Sequence, residues 1–244
     1  MRAAIITGVS RGLGEALAAE LLQRGSIVVG IGRTASARHK GERYRHVACD
    51  LAHPALVAAA VLPALRDLAL EKPSGVTLIN NAAVASPVGL IGRLDAAEIE
   101  SAIATNIAAP LVMADLFCRA FPGATPKRRI INISSGAAQN ALAGSGPYSM
   151  SKAALEMLTR ALLADHAGRS LECITLRPGI FETGMQQFMR SRDPEHFPSV
   201  ALFRRFKEQG ILKDPADVAR NIVSKLVFGP VESGRVYVHT DLEG

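Results

Sequence analysis

No stretch of about 18 consecutive apolar residues occurs in the sequence, so nothing in it predicts a membrane span. Cysteine is scarce: Cys49, Cys118 and Cys173 are odd in number, widely spaced and set in apolar surroundings. That excludes a disulfide framework and a cysteine metal site, and fits buried thiols in a reducing cytoplasm. A basic stripe interleaved with aromatics is also missing. The net charge is +6, but the basic residues are scattered, with short clusters only at Lys127-Arg128-Arg129 and Arg204-Arg205. The sequence therefore argues against nucleic acid as a partner. The start, Met1-Arg2 followed by Ala3 to Thr7, meets glycine too soon for a secretory signal. Repeats, low-complexity tracts and linkers are absent as well. With 244 residues, 48% of them hydrophobic, the chain is read as one domain over residues 1–244.

What is present is alternation. Short β-branched runs predict strands at Ala3–Thr7, Ser26–Ile31, Arg45–Ala48, Val76–Asn80, Arg129–Ile133, Leu171–Leu176 and Arg235–His239. Helical stretches separate them: Leu13–Gln23, Ala55–Leu70, about Asp95–Phe121 and about Tyr148–Ala167. Pro63 falls inside the second and is expected to kink or divide it. The pattern predicts an α/β class: a single-domain Rossmann fold, a doubly wound parallel sheet of about seven strands with helices on both faces. Such sheets bind ligands beyond the carboxyl ends of their strands.

The unusual residues fall in those loops. The first strand runs into Gly8-Val9-Ser10-Arg11-Gly12-Leu13-Gly14, a glycine-rich turn opening a helix. Glycine there gives a sharp exit, lets backbone approach a pyrophosphate and lets helix and strand pack closely. The helix N-terminus then offers free N–H groups to phosphates. A carboxylate about 20 residues later would hold the 2′-hydroxyl of NAD. Here no Asp or Glu lies between Glu20 and Glu42, and the second strand ends at Arg33. Arg33 and Arg11 instead suit the 2′-phosphate of NADP(H), which arginine pairs bidentately. Solvated surface arginines are the plainer alternative for both.

Toward the second half, Tyr148 and Lys152 stand four residues apart, on one face if the stretch is helical. An ammonium beside a phenol is expected to draw the tyrosine pKa down from about 10. Ser135, thirteen residues earlier at the end of a strand, would hydrogen-bond a substrate carbonyl beside the tyrosine. Its neighbour Ser134 should face the other way, because strand residues alternate.

Together Gly8-x-x-x-Gly12-x-Gly14, Asn80-Asn81-Ala82-Ala83, Asn106, Ser135, Tyr148, Lys152 and Pro178-Gly179 resemble the short-chain dehydrogenase/reductase superfamily over essentially the whole chain. The stretch Arg129–Gly136 and the tail after Gly179 look most like benzil reductases and sepiapterin reductases, NADPH-dependent carbonyl reductases. By that resemblance Tyr148 is the general acid, Lys152 binds the nicotinamide ribose and tunes the tyrosine, and Ser135 orients the carbonyl. Asn106 would hold a water that relays protons to Lys152. Asp50 would accept from the adenine amino group with Leu51 beside the ring. Asn81, next to Ala82, would lie near the adenosine ribose. Pro178, Gly179, Phe181 and Thr183 would wrap the nicotinamide. Asp50 as a turn cap, Asn106 as a helix-interior amide and Thr183 as an N-cap remain the plainer alternatives. Ala83 departs from the glycine usual in this family and would crowd the loop.

Residues of about 184–214 are expected to form a substrate lid, with Met185 and Phe188 among the candidates for an apolar pocket. Asp241, near the end of a tail like that of sepiapterin reductase, is a candidate substrate anchor, with a solvated terminal aspartate as the plainer alternative. The activity implied is NADPH-dependent reduction of an apolar or aromatic ketone or diketone. An oxidising alcohol dehydrogenase and a non-catalytic NADP(H)-sensing protein are the alternatives. The apolar faces around Asn106 and Tyr148 (Leu111, Met113, Leu116, Phe117; Leu155, Leu158, Leu162) suggest a homodimer or homotetramer, as in this family.

Overall fold

A computed structural model describes residues 1–242. Seven parallel strands form one sheet in the order β3-β2-β1-β4-β5-β6-β7. They are β1 (Arg2–Thr7), β2 (Ile27–Gly32), β3 (Tyr44–Ala48), β4 (Gly75–Asn80), β5 (Lys127–Ile133), β6 (Leu171–Arg177) and β7 (Val236–Val238). Strand order reverses beside β1, which pairs with β2 on one side and β4 on the other. A ligand crevice belongs at that switch point, beyond the carboxyl ends of β1 and β4.

Strand side chains alternate between two cores. Ala3, Ile5, Ile27, Val29 and Leu78 face one, shared with α2 (Pro54–Leu70) and α4 (Ala109–Ala120). Ala4, Ile6, Val28, Ile79 and Ile131 face the other, shared with α1 (Gly12–Gln23) and α8 (Pro215–Ile222). Burial on both faces explains why these strands read as unbroken apolar runs.

Pro63 does not divide α2, which runs unbroken from Pro54 to Leu70. Pro63 and Ala59, whose carbonyl loses its N–H partner, both lie on the exposed side. Val57, Val61, Leu65 and Leu68 hold the inner face. The predicted 95–121 helix consists of α3 (Ala96–Ile103), a π-helical turn (Ala104–Ala108) and α4. Asp95 caps it by accepting from the Glu98 N–H. By length and composition these 25 residues suffice to cross a bilayer, yet half of the apolar window is buried against the sheet.

One other expectation needs correcting, and the short charge cluster at Lys127-Arg128-Arg129 is mostly interior. Arg128 and Arg129 are both buried, at 2% and 3% exposure. Arg129 pairs with Glu172 and with the carbonyls of Val227 and Gly229, and Arg128 donates to the Phe121 carbonyl. Of the residues assigned to a subunit-pairing face, Met113, Leu116, Phe117, Leu155 and Leu162 are buried within the chain, and Leu158 is half-buried. Leu111 does reach solvent there, with Ile103, Met150 and Met157.

Candidate active site

At the switch point Gly8 leaves β1 with its N–H bonded to the Ile31 carbonyl. Gly12 has φ +62, a conformation that suits glycine, and a Cβ on Gly14 would stand 2.1 Å from the Gly8 carbonyl oxygen. Arg11 is the N-cap residue of α1 but its side chain makes no cap bond, so the first-turn N–H groups, Leu13 among them, are left for a ligand. Ser10 and Arg11 are exposed on this loop. The geometry fits a dinucleotide pyrophosphate.

Around it, Asn81 acts as a strap. Its amide donates to the Thr7 and Gly8 carbonyls, and the Asn81 and Ala82 N–H groups donate to the Thr7 hydroxyl. Among the described non-glycine residues Lys72 alone has a positive φ, so Ala83 sits in a conformation open to any residue. The methyl therefore brings no backbone strain.

Arg33 lies exposed just past β2. The loop that follows is latched to α1 by a residue the sequence reading passed over: Glu15 accepts from the Ser36 hydroxyl at 2.6 Å and lies 3.7 Å from Arg38. Its position one turn past Arg11 was the available signal. Asp50 accepts from the Ala52 N–H and turns the chain after β3. The Leu51 side chain is buried in the core rather than laid open for an adenine ring.

The second group of residues meets at the ends of β5 and β6. Ser134 and Ser135 do diverge. Ser134 is buried, its hydroxyl 3.2 Å from the Lys152 carbonyl oxygen, whereas half-buried Ser135 caps the short turn Gly136–Ala138 and hydrogen-bonds Tyr148. Tyr148 and Lys152 stand in the first turns of α5 (Gly146–Asp165). Lys152 is 2% exposed, and its ammonium donates to the Ile133 carbonyl at 2.7 Å.

The expected lowering of the tyrosine pKa by lysine does not appear. Burial pushes Tyr148 up to about 12, and the Ser135 hydrogen bond only moderates this. The Lys152 ammonium is held by Ile133, 5.5 Å from the phenol ring centre. Burial in turn brings Lys152 down to about 8.

Asn106 sits in the π-helical turn, a distortion often found at functional sites. Its amide is clamped on Val84, accepting from the N–H and donating to the carbonyl, with a further bond to the Ser151 hydroxyl at 3.3 Å. The side chain thus fixes the loop after β4 to the helix carrying Tyr148.

Beyond β6, Pro178 is buried and Gly179 has φ +81, where a Cβ would meet the His239 ring at 3.0 Å. Phe181 forms an isolated bridge with Lys213 through bonds made by Ile180 and Glu182, so its own N–H and C=O point the opposite way. Thr183 caps α6 (Gly184–Arg190) at 3.4 Å from the Gln186 N–H, and its methyl lies beside Gly12.

Helices α6 and α7 (Val200–Glu208) share a small core of Met189, Phe197 and Val200 with Ala85. Met185 and Phe188 are half-buried against it. Asp241 is exposed, and one carboxylate oxygen pairs with Arg235 while the other accepts from the Val238 N–H, which closes the turn after β7.

Residues 2–194 match the short chain dehydrogenase family. The chain is 33% identical over 236 residues to a benzil reductase ((S)-benzoin forming) of Bacillus subtilis, covering 96% of each chain. It is 33% identical to the sepiapterin reductase of Meriones unguiculatus, covering 94% of this chain and 93% of the relative. In fold it matches a short-chain dehydrogenase/reductase of Saccharomyces cerevisiae at TM-score 0.86 and 22% identity, over 100% of this chain and 98% of that one. With the glycine loop, Ser135, Tyr148 and Lys152 brought to one edge of the sheet, the chain belongs to the short-chain dehydrogenase family and is an oxidoreductase of that family.

Proposed function

We propose that this protein reduces an apolar or aromatic ketone, or a 1,2-diketone, to the alcohol with NADPH, Tyr148 giving the proton. The observation that carries the reading is the corner where half-buried Tyr148, its phenol pushed up to about 12, meets half-buried Ser135 beside the buried Lys152 ammonium. NADPH, held by the glycine loop, Arg11 and Arg33, would supply the hydride. Ser135 holds the carbonyl oxygen while charge develops on it. An alkoxide is a stronger base than phenolate, so Tyr148 transfers its proton downhill once that charge forms. Lys152 keeps two of its three N–H donors beyond the bond to Ile133, enough for a ribose hydroxyl and the phenolate. Asn106 holds the Val84 loop and α5 in register around them.

Arg33 and Arg11, with no acid at the end of β2, favour the 2′-phosphate over a free hydroxyl. Residues 184–214 act as the lid over the reacting end. A second copy packs on Ile103, Leu111, Met150 and Met157, exposed along the two long helices.

The experiment is direct. Protein, NADPH and benzil are mixed and the NADPH absorbance is followed; consumption with benzoin as product is expected. The absence of turnover across a broad ketone panel overturns the reading. Turnover with NADH at equal affinity overturns the cofactor assignment alone.

A further inference from the structure

We infer that Glu156, locked by Arg177, is a positioning residue that sets Ser135 and Lys152 in the same frame. The inference rests on the reduction proposed above. Glu156 lies one helical turn past Lys152 on the same face of α5. One carboxylate oxygen accepts from the Ser134 hydroxyl at 2.9 Å and from Arg177 Nε at 2.8 Å. The other accepts from the second Arg177 nitrogen at 2.8 Å, which makes the pair bidentate. The two side chains are 15% and 13% exposed.

Each donor belongs to a different segment of the site. Ser134 adjoins Ser135 at the end of β5, and its hydroxyl also reaches the Lys152 carbonyl oxygen. Arg177 ends β6 and adjoins Pro178-Gly179, the turn that leads to the lid. One carboxylate therefore ties together the three strands of chain that deliver the carbonyl-binding serine, the lysine and the wall of the nicotinamide pocket.

The docking of α5 on the sheet does not depend on this pair. One turn further, Thr159 bonds Thr175 at 2.8 Å and Asn132 at 2.9 Å, and Leu155 is 2% exposed. Those contacts fix the helix on β5 and β6. Glu156 fixes only the turn nearest the chemistry, where sub-ångström errors matter for rate.

An amide at position 156 cannot accept all three donors. It turns an NH2 toward a donor and leaves Arg177 a shielded cation without its partner. Glu156→Gln and the charge-balanced pair Glu156→Gln/Arg177→Met are compared with the parent in thermal midpoint, NADPH Kd, kcat and KM for benzil, and crystal structure. For Glu156→Gln, kcat is expected to fall about 100-fold, with KM and the NADPH Kd within about threefold. In the double variant the thermal midpoint returns toward the parent while kcat stays at least about tenfold low. Recovery of kcat together with stability in the double variant overturns the inference, because the pair then serves folding alone. If the parent reduces no carbonyl compound, the reaction proposed above fails by itself. The positioning role is then decided by the crystals: displacement of Ser135 Oγ or opening of the Lys152–Ile133 contact supports it, and unmoved atoms overturn it.

Discussion

Replacing Lys152 by methionine is expected to leave the fold as stable as before or more so while abolishing its chemistry. The ammonium is 2% exposed, and burial holds it at about 8 against an ordinary value of 10.5. That difference corresponds to about 3 kcal/mol against folding at neutral pH. Methionine fills similar volume without a charge, but it orphans the Ile133 carbonyl, which now accepts from Lys152 at 2.7 Å. Losing a charge-assisted bond costs about 1.5–3 kcal/mol, so the net change lies between zero and a gain of about 1.5 kcal/mol. For a chain of this size the thermal midpoint should rise by up to about 5 °C.

The pH dependence gives a sharper check. Below about 8 the lysine is protonated both folded and unfolded, and the parent carries the full penalty. Between about 8 and 10.5 the unfolded chain binds more protons than the native one, so parent stability rises with pH. The variant lacks this rise, so its advantage shrinks across that window. Cys173 and Tyr148, both raised to about 12 by burial, act in the opposite sense at higher pH but cancel in the difference. Chemical denaturation of both proteins from pH 7 to 10.5 measures it. A variant less stable by more than about 1 kcal/mol at pH 7, or a difference that does not change with pH, refutes the reasoning.

Three other outcomes follow from the same geometry. Tyr148→Phe keeps the ring and loses the proton donor, so kcat should fall about 100- to 10,000-fold with the NADPH Kd unchanged, as read by fluorescence titration. Arg33→Ala should weaken NADPH binding by about 10- to 100-fold and leave NADH within about threefold, because a phosphate contact of about 1.5–3 kcal/mol is removed from one cofactor only. Gly14→Ala drives a Cβ to 2.1 Å from a backbone oxygen and 2.6 Å from the Asn81 amide nitrogen, so the strand–helix junction must open. It should lower stability by about 3 kcal/mol or more in a denaturant titration, a cost on the scale of severe overpacking.

How much of this was readable from sequence depends on whether the signal is local. The strands were legible because burial on both faces leaves unbroken apolar runs, and the glycine loop because its spacing is a backbone requirement. Ser135 could be separated from Ser134 by strand alternation alone. The burial of Arg128 and Arg129 was not readable because charge in a sequence says nothing of burial. The Arg129 partners, Glu172 and the carbonyls of Val227 and Gly229, lie far along the chain. Helix α8 was passed over although Asp214-Pro215 carries both an N-cap and a proline at the first position. The burial of Leu51 and the Asp241 contacts with Arg235 and the Val238 N–H were not readable, because exposure and partners are properties of the folded chain. The direction of the Tyr148 shift was likewise not local, since it is set by desolvation and not by the lysine four residues away.

The two ends of β5 show how the fold distributes these costs. At the amino end, Arg129 is buried with its guanidinium bonded to a carboxylate and several carbonyls, which offsets the cost of taking a cation out of water. Past the carboxyl end, the Lys152 ammonium donates to the Ile133 carbonyl and Tyr148 bonds Ser135, and burial shifts both groups toward their neutral forms. A strand can tolerate that imbalance because the cores on both faces hold it in place independently of its end. A phenol that burial keeps protonated gains a reason to ionise only when a stronger base forms beside it. In the reduction proposed above, Tyr148 gives up its proton only once the alkoxide forms beside it.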